Sequence, residues 1–127
     1  MTLIELVIVV AVIGILVTTA VPSYQAYMLR VHRTEAIRML LQASMCQEKI
    51  YASRGSYDTT KCQPGSEYGR YQITYSAEET VGRRYIASAT PVGVQRTDQC
   101  GSLSLDQNGT RRISSAKANV TKCWGGR

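Results

Sequence analysis

The sequence is short of the residues and spacings that most enzymes and metal sites require. It has a single histidine, and no two of its four cysteines form a CxxC pair. A zinc or redox site needs clustered thiols or imidazoles, and a serine or cysteine nucleophile needs a base that a third group orients. We therefore expect no enzyme, no metal and no cofactor.

The basic residues are also not grouped into long runs. Lysine and arginine outnumber aspartate and glutamate by 15 to 9, a net charge of +6, but no five basic residues are consecutive. Such a balance attracts anionic partners without identifying one. Nucleic acid is one candidate partner, with a solvated surface as the alternative. The candidate phosphate contacts are Arg83, Arg84, Arg111, Arg112 and Lys122.

Charge is almost absent from the first 22 residues, where Glu5 is the one charged side chain. Residues 6–21 span roughly 24 Å as a helix, so a crossing of the roughly 30 Å bilayer core needs residues 1–5 as well. An unpaired carboxylate at that depth costs at least about 2.5 kcal/mol. Glu5 therefore needs a partner, or a helix start whose macrodipole stabilises it. Because the segment lacks the basic start and the cleavage site of a secretory signal, we expect it to be retained.

Helical spacing continues beyond this apolar segment and predicts one long helix over residues 1–53 that ends at Gly55. The recurring apolar residues are Tyr24, Tyr27, Met28, Val31, Ile37, Leu40, Leu41 and Met45, whereas Arg30, Arg33, Arg38 and Gln42 lie largely elsewhere around the helix. Gly14 and Pro22 weaken the helix internally. We expect a kink or an unwound stretch over residues 14–22.

After Gly55 the period of the sequence changes. Alternation of apolar and polar residues predicts three strands, at residues 70–76, 83–90 and 101–106. Their short linkers suit an antiparallel meander, one face of which lies on the amphipathic half of the helix. No periodicity remains after residue 106, so residues 107–127 are expected to form a loop that Cys123 ties back.

The four cysteines, Cys46, Cys62, Cys100 and Cys123, indicate disulfides in an oxidising compartment. Four cysteines allow three pairings, of which proximity along the chain favours Cys46–Cys62 and Cys100–Cys123. The second pairing closes a loop of about 24 residues and contributes roughly 3 kcal/mol. Because Arg30 and Arg33 follow the apolar segment and would otherwise favour the cytoplasm, we expect that a more basic leader preceded Met1 and was removed.

The N-terminal stretch MTLIELVIVVAVIGILVTTAVPSYQAYMLRVHRTEA resembles the N-terminal signature of type IV pilins, including the positions of Glu5 and Pro22. The later segments QEKIYASRGSYD, YIASATP, QCGSLSLDQNGTR and KCW are similar to PilE-type pilins, which are usually minor subunits. Two features depart from the family pattern. Met1 stands where phenylalanine is typical, and Cys46 and Cys62 are additional to the usual C-terminal pair.

The resemblance implies an α+β, type IV pilin fold, in which a helix over about residues 1–53 packs on a three- to four-stranded antiparallel sheet with a disulfide-bounded C-terminal loop. Residues 1–27 are then the membrane and filament-core helix. Residues 28–127 are then a globular head, which includes the D-region at residues 100–123. Gly14 and Pro22 would be the positions where the helix loosens.

The resemblance also implies a route from the membrane to a filament. A prepilin peptidase would remove the leader and N-methylate Met1, and the precursor would wait in the inner membrane. In the extracellular pilus, Glu5 would pair with the N-terminal amine of a neighbouring subunit. This pairing offsets the cost of burying either charge alone and rewards the correct axial register.

The implied function is a structural subunit that polymerises through its N-terminal helix into a type IV pilus, for adhesion or twitching motility. Its partners would be other pilin subunits and the inner-membrane assembly machinery. The alternatives are a low-abundance minor pilin that primes assembly, a DNA-receptor pilin for transformation, and a type II secretion pseudopilin.

Overall fold

The chain opens on one long helix, α1 (Leu3–Arg54), in a computed structural model that describes residues 1–62, 69–76 and 82–125. Gly55 ends the helix with a left-handed φ of 71°, and its N–H donates to the Tyr51 carbonyl at 2.7 Å. Glycine adopts that conformation without the steric cost that a Cβ adds. The long helix predicted from residue 1 to residue 53 is confirmed.

α1 is continuous through Gly14 and Pro22, so residues 14–22 are not unwound in this structure, whereas a kink there and the loosening of the helix at Gly14 and Pro22 stay predictions. Proline removes one backbone N–H while the residues around it keep theirs, and one lost hydrogen bond does not end the helix. The most apolar window of α1 has a mean hydropathy of 2.7, and none of it is buried. By length and composition, α1 contains a segment that can cross a membrane.

Four strands follow, and they are β1 (Tyr71–Ser76), β2 (Ile86–Pro91), β3 (Leu103–Asp106) and β4 (Arg111–Ile113). They form one antiparallel sheet in the order β1-β2-β3-β4. A 3₁₀ helix, Gly93–Thr97, lies between β2 and β3. The three predicted strands are present, two of their ends coincide with the prediction, and the other four are shifted by one to three residues.

The prediction of a loop over residues 107–127 is wrong in two places. β4 and a single-turn helix, α2 (Val120–Cys123), lie within that range. A three-residue strand and a four-residue helix are too short to show a period in the sequence. β4 forms because β3 offers a partner edge, which is a property of the sheet and not of the segment itself. Residues 126 and 127 lie outside the described residues, as do residues 63–68 of the predicted turn region.

The core lies between one face of the sheet and the second half of α1, where Ala36 and Leu40 pack with Tyr85, Ala87 and Leu103. The buried helix residues are Arg33, Ala36, Met39, Leu40, Ala43 and Gln47. The predicted apolar face is therefore wrong in part, since Leu41 and Met45 are 39% and 63% exposed. Small residues such as Ala36 let the helix approach the sheet closely, and close packing selects them over larger side chains.

Two disulfides hold the segments that flank this core. Cys46–Cys62 joins α1 to the segment that follows it, and Cys100–Cys123 joins the loop before β3 to α2. These are the two local pairings among the three that are possible. The second cross-link holds the C-terminal stretch together with Trp124, which is 6% exposed and belongs to the core.

The chain divides into two compact units, Met1–Val31 and His32–Arg127, called the N-terminal unit and the C-terminal unit below. The N-terminal unit is helix alone, and the C-terminal unit contains the sheet, both disulfides and the core. The predicted domain boundary between residues 27 and 28 stays a prediction.

Candidate functional site

A reciprocal pair of hydrogen bonds between Thr2 and Glu5 closes the first turn of α1. The Glu5 N–H donates to Thr2 Oγ1 at 3.3 Å, and the Thr2 N–H donates to Glu5 Oε2 at 3.4 Å. This arrangement is a capping box, which satisfies backbone donors that the start of a helix leaves unpaired. Glu5 therefore has a partner within its own chain, and its pairing with a neighbouring subunit stays a prediction.

Large apolar side chains cover the surface of the N-terminal unit. Met1 is 99% exposed, Leu3 81% and Ile15 67%. An apolar surface that continues around a whole helix is unfavourable in water and marks a contact with lipid or with other protein chains. In the N-terminal unit, the candidate functional site is therefore this exposed apolar surface.

The sheet of the C-terminal unit brings four of the five predicted DNA contacts to one of its ends. Because neighbouring strands run in opposite directions, β2 and β4 begin where β3 ends: Ile86 pairs with Asp106, and Arg111 pairs with Leu105. β2 and β4 are two interstrand spacings apart, roughly 10 Å. We call the four arginines at this end the basic end, and they are Arg83 and Arg84, just before β2, with Arg111 and Arg112, in β4.

The turn before β2 is fixed against the segment that follows α1. The Tyr57 N–H donates to the Gly82 carbonyl at 2.7 Å, and a Cβ at Gly82 would lie 2.8 Å from the Cβ of Ser56. Gly82 also has a φ of 83°, so both the close approach and the backbone conformation require glycine. The contact holds the backbone in place while the Arg83 and Arg84 side chains stay exposed.

The turn between β3 and β4 is organised by a buried carboxylate. Asp106 Oδ1 accepts the N–H groups of Asn108 and Thr110, both at 2.9 Å, in a side-chain-to-backbone turn that suits aspartate. Its other oxygen, Oδ2, lies 3.9 Å from Arg112 Nη2, and the Arg112 side chain is 61% exposed. At that distance and exposure the carboxylate neutralises the guanidinium only weakly.

Trp124 supports the other arginine of β4. The Arg111 guanidinium lies over the indole, 5.4 Å from the ring centroid, in the range of a cation–π contact. The Trp124 Nε1–H donates to the Arg112 carbonyl at 3.2 Å. Both the position of the β4 backbone and the direction of one guanidinium therefore depend on α2 and the residue that follows it.

The fifth predicted contact, Lys122, lies in α2. Its neighbour Cys123 is bonded to Cys100, just before β3 begins, and Trp124 contacts Arg111 of the basic end. Residues 107–127 contain five basic and no acidic residues. This gives the C-terminal stretch a uniformly positive charge.

A buried ion pair that the sequence pattern did not predict lies at the opposite end of the sheet. Arg33 Nε is 3.0 Å from Asp98 Oδ2, and the two side chains are 10% and 3% exposed. Arg33 Nη1 donates to Cys100 Sγ at 2.9 Å, and the Tyr71 O–H donates to Asp98 Oδ2 at 3.4 Å. Gln95 Nε2 donates to Tyr71 Oη at 3.0 Å. Burial raises the pKa of Tyr71 to about 12.

The helical pattern placed Arg33 away from the apolar face of α1, and that placement is wrong. Arg33 is buried because the loop before β3 delivers Asp98 to it. The sequence offered only a general rule about Arg33, namely that a charge requires a partner if it is buried. No spacing rule connects two residues so distant in the chain, so the sequence did not name the partner.

A protein-family model described as "Type IV minor pilin ComP, DNA uptake sequence receptor" matches residues 22–104. The match covers more than half of the chain. It includes Arg83 and Arg84, whereas Arg111 and Arg112 lie beyond its end. Of the basic end, the family model therefore covers the arginine pair before β2 and does not cover the pair in β4.

Individual fimbrial and pilin proteins also match this chain, each over a larger share of it than the family model does. The fimbrial protein EcpC of Eikenella corrodens is 32% identical over 109 residues, which are 82% of this chain and 71% of that protein. The solved structure of a type IV pilin from Shewanella oneidensis is 25% identical, with a TM-score of 0.60, over 72% of this chain and 96% of that one. The non-core minor pilin PilV of Neisseria meningitidis is similar in fold, with 21% identity and a TM-score of 0.58 over 75% of this chain and 95% of that one.

Proposed function

We propose that this chain, which belongs to the type IV pilin family and has a ComP-type minor pilin domain, is a minor pilus subunit that binds DNA. The observation that carries the proposal is the basic end, where strand register gathers two exposed arginine pairs. The matching family model is described as a DNA uptake sequence receptor, which supports the same choice of partner.

The basic end binds the phosphates of duplex DNA. An arginine guanidinium is a planar fork of donors that matches a phosphate group, and these side chains are exposed. β2 and β4 are roughly 10 Å apart, and Arg111 and Arg112 extend from opposite faces of β4, so the arginines reach different phosphates. Such contacts position the duplex and supply affinity that depends strongly on salt, whereas sequence is read by other contacts.

The N-terminal unit holds the chain first in the inner membrane and then in the filament core. Its exposed apolar surface is covered by lipid before assembly and by other pilin helices afterwards. A prepilin peptidase processes and N-methylates Met1. On assembly Glu5 exchanges its contact with the Thr2 N–H for the N-terminal amine of a neighbouring subunit. The C-terminal unit is then displayed outside the cell on the pilus.

A salt series on the full chain in nonionic detergent micelles tests DNA binding, with a fluorescently labelled duplex and anisotropy as the readout. The logarithm of the affinity should fall linearly with the logarithm of the salt concentration. The double variant Arg83→Gln/Arg84→Gln should reduce the slope by about 0.9 per lost phosphate contact.

Arg96→Gln is the control for this experiment. It removes one positive charge, against two in the double variant, from the 3₁₀ helix that follows β2, at the opposite end of the sheet, and should leave the slope unchanged. No duplex binding at low salt would refute the DNA-binding proposal. A loss of slope of about 0.9 in the control, the same loss per charge as in the double variant, would show that net charge, and not the basic end, determines binding.

Quantitative analysis of sheared surface filaments tests the assembly role. Mass spectrometry should find this chain as a small fraction of the filament protein, and a chain that dominates the preparation would instead be the major subunit. Glu5→Gln should lower the filament-bound amount and leave the amount in the membrane unchanged. Glu35→Gln, which removes a carboxylate within the C-terminal unit, is the control, and normal assembly of Glu5→Gln would refute the register role.

A further inference from the structure

The face of the sheet turned away from α1 carries a row of hydroxyl side chains that ends in an arginine. Thr74 pairs with Ser88, Ser88 with Ser104, and Ser104 with Arg112. Directly paired residues in an antiparallel sheet point to the same face. The row therefore crosses all four strands, a width of roughly 14 Å at three interstrand spacings.

More hydroxyl groups flank this row, because Ser76 and Thr90 occupy the same face by the alternation of side chains along a strand. We call the five residues the hydroxyl face, and they are Thr74, Ser76, Ser88, Thr90 and Ser104. Within residues 1–62, 69–76 and 82–125, none of these five side chains makes a hydrogen bond to the protein. Their donors and acceptors are therefore free to bind a polar partner.

The composition of this face does not suit a dry protein interface. The cores of protein interfaces are rich in aromatic and large aliphatic residues, and the paired positions of this face hold one large apolar residue, Ile86, among those the structure describes. Two charges border the row: Arg112, whose side chain is 61% exposed and belongs to the basic end, and Asp106, whose side chain is 11% exposed and accepts two backbone N–H groups. An anionic partner with many hydrogen-bonding oxygens fits both features.

We propose that the hydroxyl face is a second contact surface for the sugar–phosphate backbone of duplex DNA, continuous with the basic end through Arg112. Serine and threonine hydroxyls donate hydrogen bonds to phosphate oxygens without reading sequence. The inference rests on the DNA-binding function proposed above and names the surface along which the duplex continues. The basic end supplies charge, and the hydroxyl face supplies neutral hydrogen bonds.

The two surfaces differ in how their loss changes the salt dependence of binding. The triple variant Thr74→Val/Ser88→Ala/Ser104→Ala should weaken duplex binding about tenfold at constant salt and leave the salt slope unchanged, because no phosphate charge is neutralised by a hydroxyl. Arg112→Gln should reduce the slope by about 0.9. Both are measured by anisotropy with the full chain in detergent micelles and a labelled duplex.

Single substitutions separate a local contact from general electrostatics and from misfolding. Ser88→Asp places a negative charge within the row and should weaken binding more than tenfold, whereas Gln42→Asp, at an exposed position of α1, should change it less than threefold. Ser88→Thr keeps the hydroxyl and should retain full affinity. Trp124 fluorescence and the urea midpoint report that each variant is folded.

The outcomes distinguish this inference from the function on which it rests. If the unmodified chain binds no duplex, the DNA-binding function fails and this inference fails with it. If the unmodified chain binds and the folded triple variant or Ser88→Asp binds equally well, the hydroxyl face is not a DNA surface while the basic end remains one. If these variants change filament incorporation and not DNA affinity, the face contacts another pilin subunit and the inference is wrong.

Discussion

Removing one member of the Arg33–Asp98 ion pair should destabilise the C-terminal unit far more than breaking an ion pair at its surface. Asp98→Asn keeps the size of the side chain but leaves the Arg33 guanidinium, whose side chain is 10% exposed, without its countercharge. An uncompensated buried charge is costly because water cannot reach it. Removing one partner of such a pair typically costs about 3–5 kcal/mol.

That cost is large against the total stability of a small domain, about 5–15 kcal/mol. Arg33→Met should cost less than Asp98→Asn, because the Asp98 carboxylate still accepts the Tyr71 O–H. The double variant removes both charges and leaves none uncompensated. It should therefore cost less than the sum of the single variants, by about 0.5–3 kcal/mol.

Arg38→Met provides the matched control on the same helix. Arg38 Nη2 lies 2.8 Å from Glu35 Oε2, a shorter distance than in the buried pair, but the side chains are 61% and 30% exposed. Exposed pairs contribute at most about 1 kcal/mol. The comparison therefore separates the effect of burial from the effect of bond length.

Urea unfolding of the full chain in nonionic detergent, with both disulfides intact, measures these free energies. Trp124, the single tryptophan, is 6% exposed and reports unfolding of the C-terminal unit by its fluorescence. If Asp98→Asn costs no more than Arg38→Met, or if the two buried substitutions are additive, the reasoning from burial is refuted.

Three further predictions use the same unfolding assay. Burial raises the pKa of Tyr71 to about 12 from an ordinary value of 10.0, so the folded state binds this proton more tightly than the unfolded state does. The protonated phenol therefore contributes to the free energy of unfolding in full below pH 10, and this contribution is lost as the pH rises through 12. Tyr71→Phe should make the fall in stability between about pH 9 and about pH 12 smaller, and an equal fall would contradict the assignment. Gly101→Ala should cost more than Gly109→Ala, since both glycines have a positive φ (65° and 77°) but only the first lacks room for a Cβ; equal costs would show that the neighbouring side chain moves freely. Asp106→Ala should cost about 1–3 kcal/mol, because two backbone donors lose their acceptor, and Asp106→Asn should cost clearly less because its side-chain oxygen still accepts; similar costs would assign the effect to charge.

The elements that sequence predicted are those whose cause is local. α1 was predictable because its apolar character and helical period extend over many residues, and Gly55 marks its end where a left-handed φ is needed. β4 was missed because three residues carry no period, and it exists through its pairing with β3. The apolar face of α1 was misplaced at Met45 because the position of the sheet, and not hydrophobicity alone, decides which side chains are buried.

The candidate site also has a part that the sequence predicts and a part that depends on the fold. The arginine pairs could be named from the sequence as possible phosphate contacts, but nothing in the sequence stated that β2 and β4 begin at the same end of the sheet and so bring them together. Lys122 was named from the sequence in the same way, but the structure fixes its element α2 through the Cys100–Cys123 disulfide and Trp124, not through strand register. The hydroxyl face depends wholly on register, since a shift of one residue would turn those side chains into the core.

The sequence by itself determined the N-terminal unit, because apolar character and helical propensity are properties of a continuous stretch and need no distant partner. It also determined the family, through the residues around Glu5 and Pro22. Only the tertiary structure decided which basic residues lie at the same end of the sheet, and that Arg33 lies buried against Asp98. The physical reason is that pairing and burial join residues far apart in the chain, and the free energy of each depends on the partner that the fold supplies.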